Sequence, residues 1–439
     1  MKKLCLVVML VLFCGAAPVH ALDLLETYDL GRQSDPQLRA SRSALESMRE
    51  ARPQALARLL PTLSAGGSLK RTHQNTRGTG FSFGGAGDDL YNQTGLTLSL
   101  SQPIYRRDYW VQLQQSDNQI AQAEAEYVAE EQDLVMRIAQ AYFDVLAAQD
   151  TLSFARAEQA AIQRQLEQAK QRFDVGLIAV TDVHEAQAAF DNARANVIQA
   201  ENELDDAWEA LHEIVGDTEK AMALLASDLP LNPPEPQAID QWSEVAVQQN
   251  PRLVALRCAT EVARQNIQLQ RAGHHPSLEL VSDYAINRTS ASGRSDSDVG
   301  SIGLQLNVPL FSGGGVVSRT RQARHDFDNA RENLDKQRRA VKRQVRDAYR
   351  GVVSSISRVK ALKAATLSAK SALDATEAGF EVGTRTMVDV LVEQRNLYRA
   401  RRDYSLARYE YILNSLRLKQ AAGSLSRQDL ESLNAWLEY

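Results

Sequence analysis

The chain has 439 residues and a formal net charge of −5, with 50 Lys and Arg against 55 Asp and Glu. This acidic balance argues against a nucleic-acid-binding protein, which normally carries a basic surface. Beyond the N-terminus there is no apolar run of about 18 residues, so a bundle of membrane-spanning helices is not predicted. Gly and Pro are sparse, at 23 and 12 residues, and this composition favours long helices.

The N-terminus has the pattern of a secretory signal peptide. Lysines at positions 2 and 3 precede an apolar stretch over residues 4–13, and Val-His-Ala ending at Ala21 fits a cleavage site. We predict a signal peptide over residues 1–21, with a buried N-terminal helix as the alternative. After its removal Cys258 is the sole cysteine, and one cysteine cannot form an intramolecular disulfide.

The first half of the chain changes its periodicity several times. The clearest strand pattern covers residues 91–102, where Leu96, Leu98 and Leu100 alternate with Thr and Ser. Residues 105–173 contain neither Gly nor Pro, and a helix of that length spans about 100 Å at about 1.5 Å per residue. We predict, in order, a helix over 24–60, a strand over 63–72, a loop over 73–89, a strand over 91–102, a long helix over 105–173, a turn at Val175-Gly176-Leu177 and a returning helix over 181–214. The two long helices are interpreted as a coiled-coil hairpin.

A proline-rich segment separates the two halves of the chain. Four prolines lie between residues 230 and 236, and proline is disfavoured in a helix interior. We predict a linker over residues 217–243, with a short helix near Thr218–Ala226 before the prolines.

The second half of the chain repeats the first. The segment Phe380–Gly423 aligns with Phe173–Gly216 without a gap, at a constant offset of 207 residues (380 − 173 and 423 − 216). Asn250 likewise aligns with Asp35, at an offset of 215 (250 − 35). Such a repeat sets the architecture of a chain. We therefore predict a signal peptide over 1–21, a first repeat over 22–216, a linker over 217–243, a second repeat over 244–423 and a C-terminal helix and tail over 424–439.

Each half contributes two strand patterns, so the chain has four. In the second half they lie near residues 278–287 and 302–308. Each strand has roughly ten residues, the length that a tilted strand needs to cross a bilayer. Four strands cannot close a barrel and open strand edges are not tolerated in lipid, so several chains would have to share one barrel. Two water-soluble β-hairpins capping a helical rod are an equally good interpretation of the pattern.

Two turn segments carry a resemblance to a known family. They are Phe173-Asp174-Val175-Gly176-Leu177 with Thr181-Asp182-Val183, and Val382-Gly383-Thr384-Arg385 with Val388-Asp389-Val390. These segments, the duplicated layout and the region at Arg427-Gln428-Asp429-Leu430 resemble the TolC family of outer-membrane channel proteins, over residues 22–437.

The resemblance implies a mostly α fold with a membrane β-barrel part. Three chains would form a homotrimer with a twelve-stranded barrel in outer-membrane lipid and a helical tunnel in the periplasm. Such a channel passively conducts small toxic compounds, secreted proteins or both to the exterior, from an inner-membrane transporter and its periplasmic adaptor (membrane fusion) protein. No enzymatic activity, cofactor or nucleic-acid partner is implied. The alternative from another class is a periplasmic coiled-coil adaptor or scaffold without a pore.

The resemblance also implies a ring of acids near the second turn. Asp389 matches a position at which the family forms a carboxylate ring at the narrow periplasmic aperture, and such a ring favours cations. The family often has a second acid three residues later, where this chain has Val392 followed by Glu393. One residue corresponds to about 100° around a helix, so the place of Glu393 in a second ring is open. The residues alone also allow Asp389 to be an acid that stabilises a helix N-terminus.

Four residues match an entrance lock that keeps the tunnel of the family closed: Thr181, Asp182, Phe380 and Arg385. An Arg–carboxylate pair would supply directional hydrogen bonds, whereas Phe380 lacks the hydroxyl of a Tyr and cannot donate one. From the residues alone, Thr181 and Asp182 are ordinary N-capping residues and Arg385 is a solvated charge.

The turns themselves are candidates for adaptor docking, through Val175, Gly176, Leu177, Val382, Gly383 and Thr384. The glycines would supply turn conformations that other residues avoid. Their apolar neighbours would be exposed at the hairpin tips, where they fit either an adaptor surface or packing between neighbouring tips. His274-His275 does not indicate a metal site, because adjacent residues of one strand point apart.

Overall fold

A computed structural model describes residues 21–75, 88–218, 221–290 and 296–438, so the predicted signal peptide lies outside the described residues except for Ala21. Within them, the helices are α1 (Leu24–Ser34), α2 (Pro36–Arg49), α3 (Ala51–Ala57), α4 (Arg107–Asp174), α5 (Val180–Val215), α6 (Ile239–Gln249), α7 (Pro251–Arg271), α8 (Gly315–Glu381), α9 (Met387–Ala422) and α10 (Arg427–Asn434). The strands are β1 (Thr62–Asn75), β2 (Asp88–Tyr105), β3 (Leu224–Leu225), β4 (Ser277–Thr289), β5 (Ser297–Asn307) and β6 (Leu437–Glu438). The two predicted long hairpins are confirmed as α4–α5 and α8–α9.

The single helix predicted over residues 24–60 is wrong, because breaks at Asp35 and Glu50 divide it into α1, α2 and α3. Asp35 has φ −58° and ψ 117°, since the residue before a proline is disfavoured from the helical region. Pro36 then starts α2 at the first helical position, where its missing N–H has no intrahelical partner to lose. Asn250 repeats this break between α6 and α7, with ψ 119°.

The four predicted strands form one antiparallel sheet in the order β1-β2-β4-β5. The register pairs Leu98 of β2 with Ala65 of β1 and Tyr284 of β4, so these side chains share a face. On the opposite face Ser99 lies between Ser64 and Asp283. The first face carries exposed apolar residues on all four strands, namely Leu63, Leu69, Leu96, Leu98, Tyr284, Ile302, Leu304 and Leu306. The sheet therefore has one apolar and one polar face.

The chain divides into two compact units, and each unit takes segments from both repeats. The strand unit comprises residues 43–125 and 254–336 and contains the four-stranded sheet. The hairpin unit comprises the remaining described residues, 21–42, 126–218, 221–253 and 337–438. Within the described part of the chain, no helix is both long and apolar enough to span a membrane. The division by repeats and linker stays a prediction.

In the hairpin unit the long helices pack in the order α5, α4, α9, α8. Three sets of contacts define this order: Leu152 with Val197 and Ala200, Phe143 with Tyr409, and Leu373 with Val390 and Leu397. Near the turns, Met387 and Leu391 of α9 also enter the core between α4 and α5. The inner pair is therefore α4 and α9, whereas α5 and α8 are the outer helices of this unit.

The short helix predicted at the start of the linker is wrong. Leu224–Leu225 form β3, which pairs with β6 near the C-terminus. Tyr142 of α4 donates a hydrogen bond to the carbonyl of Ala223 at 2.9 Å. Its repeat equivalent, Tyr349 of α8, donates to the carbonyl of Gln237 at 2.5 Å. These tertiary partners satisfy the backbone of the extended linker and override its helical propensity.

Candidate functional site

The tips of the two long hairpins are turns of the same construction. Gly176 and Gly383 have φ of 77° and 80°, a left-handed conformation that residues with a Cβ avoid. At the first turn, the amide of Gly176 donates to the carbonyl of Phe173 and that of Leu177 to the carbonyl of Arg172, both at 2.8 Å. The equivalent two bonds are present at the second turn. Both turns thus satisfy the last carbonyls of the preceding helix.

The tips expose apolar side chains next to the glycines. Val175, Leu177 and Val382 are 70%, 73% and 75% exposed in the chain. Thr384 is exposed too, and its hydroxyl donates to the carbonyl of Gly379 at 3.0 Å. The three apolar side chains therefore form no part of the core of the hairpin unit.

Asp389 lies in the first turn of α9 and forms a capping box with Thr386. The Thr386 hydroxyl oxygen accepts from the amide of Asp389 at 3.2 Å, and the Asp389 carboxylate accepts from the amide and hydroxyl of Thr386 at 2.9 and 3.0 Å. These hydrogen bonds, together with the charge of Arg385, lower the pKa of Asp389 below its usual value. The half-buried Asp389 carboxylate is therefore held in place and ionised at neutral pH.

The first repeat lacks this arrangement. Ala179, the equivalent of Thr386, is the N-cap of α5 and offers no side-chain oxygen. Asp182, the equivalent of Asp389, is half-buried, and within the described residues its carboxylate has no hydrogen bond or ion pair. Thr181 is exposed at the second position of α5, so its alternative interpretation as an N-cap is wrong. Of the two equivalent acids, Asp389 is therefore the fixed one.

Glu393 lies one turn further along α9 and differs from Asp389 in its hydrogen-bond partner. It is half-buried, and its carboxylate accepts from the amide of Asn396 at 3.5 Å. Val392, at the position where the family often has an acid, is exposed. Asp389 and Glu393 make no hydrogen bond with each other in the part of the chain that the structure describes.

Phe380 joins the ends of the two long hairpins. Its half-buried ring packs against the cluster of α4, α5 and α9 side chains and against the cluster between α8 and α9. The guanidinium carbon of Arg172, near the end of α4, lies 4.7 Å from the centre of this ring. Such a cation–π contact contributes about 0.5–1 kcal/mol at an exposed site. Arg172 was not predicted, although it directly precedes Phe173, the repeat equivalent of Phe380.

Arg385 packs against the turn rather than pairing with Asp182. Its amide donates to the carbonyl of Gly379 at 3.2 Å, and its Cγ lies 2.8 Å from the point where a Cβ on Gly379 would be. Across residues 21–75, 88–218, 221–290 and 296–438, no ion pair joins Arg385 to an acid. The four predicted lock residues therefore lie at one pair of tips but are not bonded to one another within one chain.

The same described ranges contain no group of three or more His, Cys, Asp and Glu side chains placed to hold a metal ion. His274 ends a short 3₁₀ turn, Ala272–His274, and His275 caps that turn before β4.

A duplicated pair of long hairpins and a sheet with one exposed apolar face define the class of outer-membrane channel proteins. A sequence model of the outer membrane efflux protein family matches residues 27–217 and 242–424, and the chain belongs to this family. It is 41% identical over 452 residues to the outer membrane protein TolC of Vibrio cholerae, covering 100% of this chain and 99% of that protein. It is 32% identical to the alkaline protease secretion protein AprF of Pseudomonas aeruginosa, covering 94% of this chain and 87% of that protein.

Solved structures of two channels share the fold. The Campylobacter jejuni CmeC outer membrane channel matches with a TM-score of 0.78 at 16% identity, over 94% of this chain and 90% of that one. The open state of the Neisseria gonorrhoeae MtrE outer membrane channel matches with a TM-score of 0.72 at 20% identity, over 92% and 90%. Together with the family, these matches identify an outer-membrane channel protein for efflux or secretion. None of these relatives is named as an enzyme, and the adaptor alternative finds no support.

Proposed function

We propose that three copies of the chain form one passive duct, with a twelve-stranded barrel in the outer membrane and a helical tunnel in the periplasm. The observation that carries this proposal is the four-stranded sheet, which has an exposed apolar face and two free edges, β1 and β5. Strand edges must be paired in lipid, and pairing β1 of one copy with β5 of the next closes the sheet.

Substrates reach this duct from an inner-membrane transporter through a periplasmic adaptor protein. The duct itself has no source of energy and only conducts. Its cargo is small toxic compounds, secreted proteins or both: the name of the relative AprF refers to protease secretion, and the family model to efflux. The exposed turn residues are the docking surface for the adaptor, namely Val175, Gly176, Leu177, Val382, Gly383 and Thr384.

The hairpin tips form the gate of the duct. Three copies of Asp389 make a ring of ionised carboxylates at the aperture, and Glu393 is the candidate for a second ring. A ring of this kind attracts cations, obstructs anions and binds multivalent cations. Thr181, Asp182, Phe380 and Arg385 hold the closed tips together between and within copies.

Asp389→Ala is expected to weaken the cation selectivity of the channel and its block by multivalent cations. The matched control is Thr386→Ala, which removes the capping partner, with an effect of about 1 kcal/mol on the helix, but keeps the acid. Single-channel recording in planar bilayers measures both properties. Equal changes in the two variants would assign the effect to the helix cap rather than to the ring. No conductance from a membrane-inserted wild-type trimer would contradict the channel itself.

The same recordings have an expected pH dependence. Because the pKa of Asp389 is lowered, its carboxylate stays charged below the ordinary value near 3.8. Cation selectivity should therefore persist as the pH falls to this value and disappear only when the pH passes through the lowered pKa. Selectivity that is lost well above this value would show that another group carries it.

Phe380→Ala is expected to raise the open probability of the channel about tenfold or more. The variant removes a contact of about 0.5–1 kcal/mol with Arg172 from each copy, and three copies act on one gate. Phe173→Ala is the matched control, because Phe173 is the exposed repeat equivalent. Phe380→Leu keeps the apolar packing but removes the aromatic face. Equal leak in the Phe380 and Phe173 variants would exclude the contact as part of the lock.

A further inference from the structure

A groove of about 460 Å³ lies in the hairpin unit, where the end of α9 meets the start of α7 between α4 and α8. Its volume is within the range of about 300–1,000 Å³ that ligand-binding pockets have. Small residues form part of its wall, among them Ala129, Ala348 and Gly351. Six side-chain amides also line it, namely Gln132, Asn250, Gln337, Gln344, Asn414 and Gln420. The groove therefore combines hydrogen-bonding amides with room for a ligand.

The lining of the groove has no net charge, because it contains two acids and two arginines. Asp133 pairs with Arg252 at 2.5 Å, and Asp347 pairs with Arg350 beside the groove. Arg417 donates to two neighbouring amide oxygens at 2.9 and 3.2 Å. An ion that leaves water needs an opposite charge that is free to pair with it. The groove therefore suits a neutral ligand that forms hydrogen bonds.

Two glutamines of α8 have unused hydrogen-bonding groups. Neither the Gln337 nor the Gln344 side chain forms a hydrogen bond with any described residue. A primary amide has an acceptor oxygen and a donor nitrogen, as each peptide group does. The two residues are seven positions apart (344 − 337), so they share a face of α8 and lie about 10 Å apart along it. An extended chain spans this distance with about three residues, so the two amides fit two peptide groups of one chain.

The groove opens on the side of the helices that faces away from the linker. The linker binds α8 through Tyr349 and α9 through Arg408, which both donate to its carbonyls. Gln344 lies five residues from Tyr349 (349 − 344), or about 140° around α8. Arg417 lies nine residues from Arg408 (417 − 408), or about 180° around α9. The linker thus covers one face of these helices, and the groove lies on the other.

The first repeat has charges where the groove has its free amides. Glu130 and Arg137 are equivalent to Gln337 and Gln344, at an offset of 207 residues (337 − 130 and 344 − 137). They bond to each other at 3.2 Å, and Arg137 also binds Asp35 at 2.9 Å. The charged residues therefore bond among themselves, whereas the two glutamines do not. Since the junction in the first repeat folds without free amides, those of the second repeat are available to a ligand.

We infer that the groove lies in the lumen of the duct and binds the main chain of an unfolded secreted polypeptide. The inference rests on the proposed function and names a site for one class of its cargo. Three copies of the linker would obstruct a conducting lumen, so the linker lies outside and the groove inside. Amides that bond to peptide groups do not read side chains, so one groove serves many sequences. A site in a channel must also bind weakly enough to release its cargo, which a few hydrogen bonds allow.

Peptide-induced block of the single-channel current in planar bilayers tests the inference with the full-length protein. The probe is a Gly-Ser peptide of about 20 residues with blocked termini, which is flexible and uncharged. Gln337→Leu with Gln344→Leu removes the two free amides and should shorten the residence time of the peptide about tenfold, as expected for two lost hydrogen bonds. A second variant, Asn250→Asp with Gln337→Glu and Gln344→Arg, copies the charges of the first repeat. It should shorten the residence time too, because its charged groups bond to one another.

Gln187→Leu with Gln199→Leu is the matched control, because both glutamines lie on α5, outside the groove, and donate to neighbouring acids. It should leave the residence time unchanged, and polyethylene glycol, which has no amide groups, should reside equally long in all variants. Shorter peptide residence in the two groove variants alone would support the inference. Equal peptide residence in the wild type and both groove variants, or an equal loss for polyethylene glycol or in the control, would overturn it and leave the conducting duct intact. A membrane-inserted wild-type trimer that does not conduct would instead contradict the proposed function.

Discussion

Arg137→Gln is expected to lower the free energy of unfolding by about 3–5 kcal/mol. The Arg137 guanidinium donates to both oxygens of Asp35 at 2.9 Å and to Glu130 at 3.2 Å. The Asp35 side chain is only 3% exposed, and it also caps α2 by accepting from the amide of Leu38 at 2.8 Å. Without the guanidinium this buried carboxylate keeps its charge but loses its partner. Guanidinium chloride unfolding of the detergent-solubilised protein measures the loss.

The second repeat supplies the control for this prediction, because it replaces all three charges by amides. Asn250 is equivalent to Asp35 at an offset of 215 (250 − 35), and Gln344 and Gln337 are equivalent to Arg137 and Glu130 at an offset of 207 (344 − 137 and 337 − 130). These three amides line an open groove of about 460 Å³ within the hairpin unit. The same junction therefore folds in this chain without a buried ion pair.

The double variant Asp35→Asn with Arg137→Gln is accordingly expected to recover most of the stability that Arg137→Gln loses. It removes the buried charge together with its partner, and replacing both members of a buried pair is far less destabilising than removing one. A double variant as unstable as the single variant would show that packing of the Arg137 side chain, rather than the unpaired charge, holds the junction.

The ion pair also predicts how stability depends on pH. Burial alone would raise the pKa of Asp35, but hydrogen bonds from Arg137 and Leu38 outweigh it and lower the pKa below the ordinary value near 3.8. In the folded state the carboxylate thus keeps its charge to a lower pH than in the unfolded state. Its contribution is present above the unfolded pKa and is lost as the pH falls through the folded one. The amide double variant should lack this part of the acid sensitivity.

The internal repeat explains why so much of the fold could be predicted. A constant offset of 207 residues across Phe173–Gly216 places both turns and both hairpins at once, and local periodicity then assigns the helices. The linker could not be predicted in the same way. Strand β3 exists because Leu224–Leu225 pair with Leu437–Glu438, more than 200 residues away, and no local pattern encodes such a partner. The break at Asp35, by contrast, follows from the proline at position 36, which is a local signal.

The candidate site likewise contains features that local sequence predicts and features that depend on distant partners. The glycine turns and the acid at the start of α9 follow from local sequence, because a left-handed turn and a helix N-terminus are local structures. The contact between Arg172 and Phe380 joins the two repeats through tertiary packing, which local sequence does not encode. The sequence indicated only that Phe380 lacks the hydroxyl of a Tyr. Within the described residues of one chain, Arg385 does not pair with Asp182. If the two residues meet between copies, local sequence patterns cannot predict that contact.

Gly423→Ala is expected to lower the free energy of unfolding by about 2–5 kcal/mol, from two separate causes. Gly423 caps α9 with φ 79° and ψ 11°, a left-handed conformation that is unfavourable by about 1–2 kcal/mol for a residue with a Cβ. A Cβ on residue 423 would also lie 2.7 Å from the Cα and 2.8 Å from the N of Asn250, the residue just before α7. Because these neighbours are backbone atoms, they cannot rotate away, and such overpacking is typically unfavourable by about 1–3 kcal/mol.

Gly383→Ala separates these two causes. Gly383 has φ 80°, almost the same as Gly423, but a Cβ there would meet nothing within 4 Å. This control should therefore lose only the part due to left-handed strain, about 1–2 kcal/mol. Unfolding midpoints in guanidinium chloride compare the two variants directly. Equal losses of stability would mean that the α7–α9 junction can move apart to accept a Cβ at no cost. A larger loss at Gly423 would show that this junction, unlike the exposed turn, requires a residue with no side chain.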